Sequence, residues 1–146
     1  MNEGDTDGWR VTLVGDGERV IEVPSDAPER AVTASLQCST GTRWTDEWRG
    51  VPVAWLLERA PGGDEATHLR VHGPDDHVVC VPLTDALDGV LAVERTDGRL
   101  AASARPRFVA PCVGGTRSVK AVERLELVAL SPGDEAASYE SLAPAE

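Results

Sequence analysis

Two segments of the sequence combine residue types that could together hold an anionic metal cofactor. The first, Leu36-Gln37-Cys38, places a thiol directly after an apolar run, and a thiolate is a soft ligand for transition metals. The second, residues 115–120, contains a glycine, two cations and two hydroxyls, and its Lys120 is the only lysine in a chain with thirteen arginines. Loops that bind phosphate use donors of this kind on a flexible turn. We therefore predict a thiolate ligand and a phosphate-binding loop.

Each segment also has a simpler explanation. A free cysteine commonly packs as a small buried hydrophobe, and residues 115–120 are compatible with a solvated turn before the last strand. The residues that follow Cys38 are polar and contain glycine, which is unlike the continuation of a core strand. Arg43, five residues on, could lower the pKa of the thiol or hold an anion. Neither a Walker-type spacing nor GxGxxG occurs, so a nucleotide loop is not predicted.

The remaining thiols and imidazoles carry weaker signals. Cys80 and Cys112 are interpreted as packing residues, and three widely spaced cysteines do not suggest a disulfide framework. His68 and His72 are four residues apart on a predicted strand, a separation of about 13 Å. With Cys80 they make no usual zinc-binding spacing.

Charge and composition limit the classes of partner. The 146 residues carry a net charge of −11, which argues against nucleic acid and anionic membranes as partners. The acidity is spread along the chain and lysine is nearly absent, so we predict a protein of a halophile, the alternative being an ordinary acidic protein. No secretory leader pattern opens the sequence, and no apolar stretch approaches a membrane span of about 18 residues. A cytoplasmic location is the resulting expectation.

The hydrophobic pattern predicts a strand-dominated α+β domain, a mixed sheet or barrel-like arrangement with few short helices. Strands are predicted at residues 9–14, 19–23, 30–37, 67–72, 77–81, 90–95, 107–110 and 121–130. Helices are predicted at residues 52–60 and 84–87, whereas 39–49 are predicted to be irregular. We expect residues 1–8 to be disordered, 9–130 to form one domain, and 131–146 to be an acidic disordered tail.

The order of several motifs resembles the sulfite-oxidase-type molybdopterin oxidoreductase domain. The motifs are Leu36-Gln37-Cys38, Trp48-Arg49-Gly50-Val51-Pro52, Val81-Pro82-Leu83, Asp97-Gly98 and Gly115-Thr116-Arg117-Ser118-Val119-Lys120. Their spacing matches the family over roughly residues 30–130. The resemblance implies the fold of that molybdopterin domain and a molybdenum–molybdopterin cofactor.

The resemblance also assigns roles to individual positions. It implies that Cys38 supplies the protein thiolate to molybdenum and that Arg43 lies at the substrate oxyanion site. Arg107 corresponds to an arginine that helps hold the pterin, and Asp75 to a position that can touch the cofactor. The loop around the pterin phosphate corresponds to Arg117, Ser118, Val119 and Lys120.

Two departures from the family pattern leave three functional hypotheses. Only 37 residues precede Cys38, and Ala102 stands where the family commonly has His or Asn, so we expect a minimal version of the domain. The first hypothesis is an oxidoreductase that performs oxygen-atom transfer on a small molecule or oxyanion, with an unidentified electron acceptor or partner subunit. The second is a degenerate, non-catalytic module of the same fold that binds an anion or a partner. The third is an intracellular zinc or structural protein. Convergence of Cys38 and Lys120 on one pocket would favour the first.

Overall fold

The computed structural model describes residues 9–24, 26–37, 43–74, 76–96, 98–111, 118–135 and 140, except for the side chains of 35–37, 43–46 and 102. The described elements are strands β1 (Trp9–Val14), β2 (Glu18–Val23), β3 (Arg30–Gln37), β4 (Arg43–Pro52), β5 (His68–His72), β6 (Val78–Pro82), β7 (Val90–Arg95), β8 (Gly98–Arg99), β9 (Arg107–Val109) and β10 (Arg124–Val128), and helices α1 (Val53–Leu57) and α2 (Leu83–Ala86).

The strands form two sheets of mixed and antiparallel pairing. Sheet A has the order β2-β1-β10-β5-β6, in which β1 and β10 run parallel and the other neighbours antiparallel. Sheet B has the order β3-β4-β7-β8, and β9 pairs with β7 along residues 90–92. The predicted fold class, a strand-dominated domain with few short helices, is confirmed.

The main core lies between the two sheets. Alternate residues of β1 and β5 are fully buried, as the period of two in a half-buried strand requires, and β10 buries Leu125. These buried residues share one core cluster with Leu91 and Phe108 of sheet B. The two helices contribute Val53, Leu56 and Ala86 to the same cluster. A smaller apolar cluster involves sheet B but not these core residues, and consists of Val32, Ala34, Trp48, Val90, Ala92 and Val109.

Strand β4 corrects the prediction that residues 39–49 are irregular, since Arg43 to Arg49 are strand residues. This segment has few aliphatic side chains, but β4 pairs with β3 on one side and β7 on the other, and this tertiary pairing outweighs its weak local pattern. A bulge lies between Arg49 and Gly50, where a Cβ on Gly50 would overlap the carbonyl oxygen of Leu91.

The first predicted helix is shorter than its sequence suggested. The expected helix over residues 52–60 is confined to Val53–Leu57, with Pro52 closing strand β4 in an extended conformation. None of the helices among the described residues is long and apolar enough to cross a membrane.

Candidate functional site

The β3–β4 hairpin brings the two ends of the predicted thiolate segment together. Gln37, the residue before Cys38, is the backbone partner of Arg43 at the end of the ladder where residues 38–42 connect the two strands. Cys38 itself and the side chain of Arg43 lie outside the described residues. The geometry thus fixes Arg43 opposite the start of the segment that carries the thiol.

Arg107 and Ser118 form the best-defined polar cluster of the predicted site. The Nε–H of Arg107 donates to the hydroxyl oxygen of Ser118 at 3.0 Å and to its carbonyl oxygen at 3.2 Å. The Ser118 hydroxyl, in a residue that is 3% exposed, donates in turn to the carbonyl of Phe108 at 2.6 Å. One serine therefore fixes the guanidinium against β9, and it leaves the two terminal nitrogens of that guanidinium for other partners.

The charge of Arg107 has no carboxylate partner among the described residues, although the residue is partly buried. Burial and, secondarily, the positive charge of Arg95 lower the pKa of Arg107. An arginine nevertheless keeps its proton at neutral pH, so the charge persists in an unfavourable environment. A partly buried cation without a described counter-charge is a natural binding point for an anion.

Residues 118–123 form a loop that joins the two sheets. The carbonyl of Val119 accepts the amide of Phe108 at 2.9 Å, and the amide of Glu123 donates to the carbonyl of His72 at 2.8 Å. Ala121 has a φ of 52°, in the left-handed region, and its amide donates to Ala104. None of the described backbone hydrogen bonds uses the amides of Ser118, Val119 or Lys120. Consecutive amides left open on a loop can cradle an anion.

Two side chains of the predicted phosphate loop have opposite environments. Val119 is fully buried in the main core, so that its side chain serves packing, while Lys120 is exposed. Gly73, at the end of β5, approaches this loop so closely that an added Cβ would stand 2.9 Å from the carbonyl oxygen of Lys120. The loop is therefore held from the side of sheet A as well as from β9.

Other predicted residues fall outside or away from this cluster. Asp75 and Arg117 lie outside the described residues, as does Cys112. Ala102 begins a 3₁₀ turn, Ala102–Ala104, that contacts the loop through the Ala104–Ala121 hydrogen bond. The described part of the molecule therefore places Ser118 against Arg107 and Val119 against β9, with Lys120 next on the same loop. Their roles toward a cofactor stay predictions.

Cys80 and the histidines belong to sheet A. Cys80 is buried on β6, where burial and the nearby carboxylate of Glu140 raise the pKa of its thiol, so it is protonated and unreactive at neutral pH. His68 and His72 both lie on β5, as predicted, and His72 Nε2 is 3.0 Å from a carboxylate oxygen of Glu126. Within the described residues no three His, Cys, Asp or Glu side chains are arranged to hold a metal ion.

Trp48 and Arg95 lie beside Arg107 and were not among the predicted site residues. The guanidinium carbons of Arg107 and Arg95 are 5.4 Å and 5.9 Å from the centroid of the Trp48 ring. A sequence signal existed for Arg95, since it ends a strand that begins with four apolar residues. Its proximity to Arg107, however, depends on pairing between β4, β7 and β9.

Comparison with known proteins identifies the class of ligand. The family model described as the oxidoreductase molybdopterin binding domain matches residues 2–133. The chain belongs to this family. It is a molybdopterin-binding oxidoreductase domain, as the sequence motifs had indicated. No curated protein matches the sequence.

A solved structure shares the fold of this molybdopterin-binding domain. The crystal structure of the sulfane dehydrogenase SoxCD from Paracoccus pantotrophus superimposes with a TM-score of 0.72 and 22% sequence identity. The match covers 92% of this chain and 41% of that chain. This likeness confirms the predicted molybdopterin-domain fold, and the chain spans less than half the length of that relative.

The described residues fit the anionic end of a molybdopterin. Arg107 offers a cation that no described carboxylate neutralises, and residues 118–120 offer open amides beside the exposed ammonium group of Lys120. A phosphate group accepts hydrogen bonds from donors of both kinds.

Proposed function

We propose that this domain binds a molybdenum–molybdopterin cofactor, with Cys38 as the protein ligand to the metal, and performs oxygen-atom transfer on a small molecule or oxyanion. The observation that carries the proposal is the guanidinium of Arg107, which Ser118 fixes and no described carboxylate neutralises. Family membership supplies the identity of the anion that this charge would bind.

Each residue of the site has a separate task in the proposal. Arg107 and Lys120 bind the phosphate of the cofactor, and Ser118 orients Arg107 toward it. Val119 contributes through its backbone amide, because its side chain is part of the core. Asp75 and Arg117 are proposed as further contacts to the cofactor on the strength of the family motif alone.

Substrate orientation is assigned to Arg43. Its backbone partner is the residue that precedes Cys38, so it begins β4 next to the segment that carries the proposed metal ligand. A guanidinium there would bind a substrate oxyanion through paired hydrogen bonds and would stabilise negative charge during the reaction. When bound, the cofactor supplies two-electron oxygen-atom transfer, while the protein supplies ligation, orientation and charge. An electron acceptor or partner subunit must exchange those two electrons in each turnover.

The test of metal ligation is the molybdenum content of Cys38→Ser. The full chain is purified from a cofactor-producing host in high salt, and molybdenum is measured by mass spectrometry of the metal. We expect near-stoichiometric molybdenum in the parent protein and a large loss in Cys38→Ser, because a neutral hydroxyl is a poor replacement for a thiolate ligand.

Cys80→Ser is the matched control for this substitution. It makes the same sulfur-to-oxygen change in a cysteine that is buried on β6 and bonded through its amide to Glu140 at 2.9 Å. We expect Cys80→Ser to retain molybdenum. Equal molybdenum in Cys38→Ser and the parent would refute the ligand role, and a folded parent without molybdenum would favour the non-catalytic binding module.

A further inference from the structure

Strand β6 lies at one edge of sheet A, with backbone groups that point away from the sheet. It is paired with β5 on one side, and among the described residues no strand pairs with its other side. The amide of Gly73 donates to the carbonyl of His77 at 2.8 Å at one end of the β5–β6 ladder. Because bonded and non-bonded pairs alternate along an antiparallel ladder, the N–H and C=O groups of Val78 and Cys80 point away from β5.

The outward edge of β6 carries no charge of its own. Val78–Pro82 consists of three valines, a cysteine and a proline, and of these only Pro82 resists pairing, because it lacks an N–H. By contrast, β2 at the other edge of sheet A contains Glu18, Arg19 and Glu22. Charges on an edge strand hinder its pairing with a strand of another molecule. Protection of β6 must therefore come from another part of the chain.

Glu140 places a charge at this edge. Its carboxylate accepts the backbone amide of Cys80 at 2.9 Å, although the two residues are 60 positions apart in the sequence. Hydrogen bonds of this kind are strengthened by the charge of the acceptor. A strand added to β6 would have to present a carbonyl oxygen to the same amide. Such a strand must therefore displace the carboxylate of Glu140 before it can pair.

The outward groups of β6 are complementary to those of a second copy of the chain. In an antiparallel pairing about a two-fold axis at Val79, Val78 of each copy would lie opposite Cys80 of the other. Both residues have outward N–H and C=O groups, so each such pair would exchange two hydrogen bonds. Chains with a net charge of −11 repel each other, but the uncharged segment Val78–Pro82 would add no like-charge pair to this ladder.

We propose that Glu140 is a removable cap on β6, and that β6 without this cap pairs antiparallel with β6 of a second copy. The cap keeps the isolated domain monomeric, and its release opens an interaction surface between copies. This surface is separate from the proposed cofactor site, because neither residues 78–82 nor Glu140 belong to the cluster around Arg107. The inference therefore goes beyond the proposed function and does not depend on it.

The oligomeric state of the full chain in high salt tests this cap. Analytical ultracentrifugation compares the dimer Kd of the parent with those of Glu140→Ala and Glu135→Ala. Glu135 is the matched control, because it is an exposed acid near the same end of the chain. Circular dichroism checks that each variant is folded.

A double variant, Glu140→Ala with Val78→Pro, tests whether β6 is the contact. Proline at position 78 removes an outward N–H but no hydrogen bond to β5, so the strand itself should survive. If the double variant does not fold, amide hydrogen exchange of Glu140→Ala decides instead. Exchange of the Val78 amide should slow as the protein concentration rises, because dimerisation would bury that N–H in the new ladder.

We expect a monomeric parent and a dimer Kd lower by about 100-fold in Glu140→Ala, since each copy no longer gives up a charged hydrogen bond worth about tenfold in affinity. Glu135→Ala should behave like the parent, and the double variant should be monomeric. A folded Glu140→Ala that stays monomeric, or a parent that is already dimeric, would overturn the cap. Equal dimerisation of Glu135→Ala would also overturn it, because loss of any nearby acid would then suffice. Dimers that persist in the double variant, or a Val78 amide whose exchange does not slow, would overturn pairing through β6.

Discussion

At the scale of single residues, the site depends on a serine that is almost completely buried. The Ser118 hydroxyl accepts from Arg107 at 3.0 Å and donates to the carbonyl of Phe108 at 2.6 Å, so it connects a charged side chain to the backbone of β9. Without that hydroxyl, the guanidinium would keep one hydrogen bond, to the Ser118 carbonyl, and lose its fixed direction. The hydroxyl is therefore expected to affect cofactor binding through Arg107 as well as stability.

A double-mutant cycle with Ser118→Ala and Arg107→Lys measures this connection. Ser118→Ala should lower the free energy of unfolding of the cofactor-free protein by about 1–3 kcal/mol, because a buried carbonyl and a cation each lose a partner. Lysine keeps the charge but lacks the Nε–H, so the two changes should be non-additive by about 0.5–3 kcal/mol. Urea unfolding gives the free energies, and molybdenum content should fall in both single variants.

Ser103→Ala is the control for the loss of a serine hydroxyl. Ser103 is exposed in the 3₁₀ turn, so its substitution should change neither unfolding nor molybdenum content. Strictly additive effects of Ser118→Ala and Arg107→Lys would contradict a functional connection between the two side chains.

At the scale of elements, the phosphate loop is positioned by the end of β5. Gly73 follows this strand, and an added Cβ would stand 2.6 Å from Val119 Cγ1 and 2.9 Å from the carbonyl oxygen of Lys120. The second contact is with backbone, so a side-chain rotation cannot relieve it. Any substitution of Gly73 must displace the loop that carries the proposed cofactor donors.

Gly73→Ala should therefore reduce both stability and cofactor content. Overpacking of this kind costs about 1–3 kcal/mol, and the displaced Lys120 backbone should lower molybdenum content further than instability alone. Gly15→Ala is the matched control, since its Cβ would meet the carbonyl oxygen of Pro61 at 2.7 Å, at a position remote in sequence from the loop. Thermal unfolding and molybdenum content are measured for both. If the two variants lose molybdenum equally, the loss comes from reduced stability, and the proposal that Gly73 positions the loop is wrong.

The elements also show how far local pattern predicts this fold. Strands β1, β3 and β5 were predictable because apolar and polar residues alternate along them or β-branched residues dominate. Strand β4 was missed because its stability comes from two neighbours, β3 and β7, and from the burial of Trp48. The pairing partners of β4 and the residues that bury Trp48 lie elsewhere in the sequence, so the local pattern of β4 does not show them.

The candidate site was predictable to a similar extent. Motif order selected Arg107 and Ser118, which are hydrogen-bonded across eleven residues of sequence. Nothing local indicated that Trp48 and Arg95 lie beside them, because that juxtaposition depends on the register of three strands. The assignments of Cys38, Asp75 and Arg117 stay predictions.

At the scale of the whole molecule, the net charge of −11 opposes compaction. Exposed ion pairs such as Arg10–Glu22, at 3.3 Å, offset little of this charge repulsion, because solvent screens them. Three acidic residues, Asp16, Asp64 and Glu65, line a groove of about 440 Å³ that has no basic side chain in its lining. Their carboxylates are expected to repel one another. Surface repulsion of this kind is sensitive to salt.

Stability should consequently rise with potassium chloride concentration. The Debye length falls from about 10 Å at 0.1 M to about 3 Å at 1 M salt, which screens repulsion between exposed carboxylates. Thermal unfolding by circular dichroism should give a higher Tm at 2 M than at 0.1 M. The double variant Asp64→Asn, Glu65→Gln should raise Tm at 0.1 M and flatten the salt response, because it neutralises two acids of the groove. Glu22→Gln, which removes an acid already paired with Arg10, should do neither. A Tm that does not increase with salt would contradict both the repulsion and the prediction of a high-salt protein.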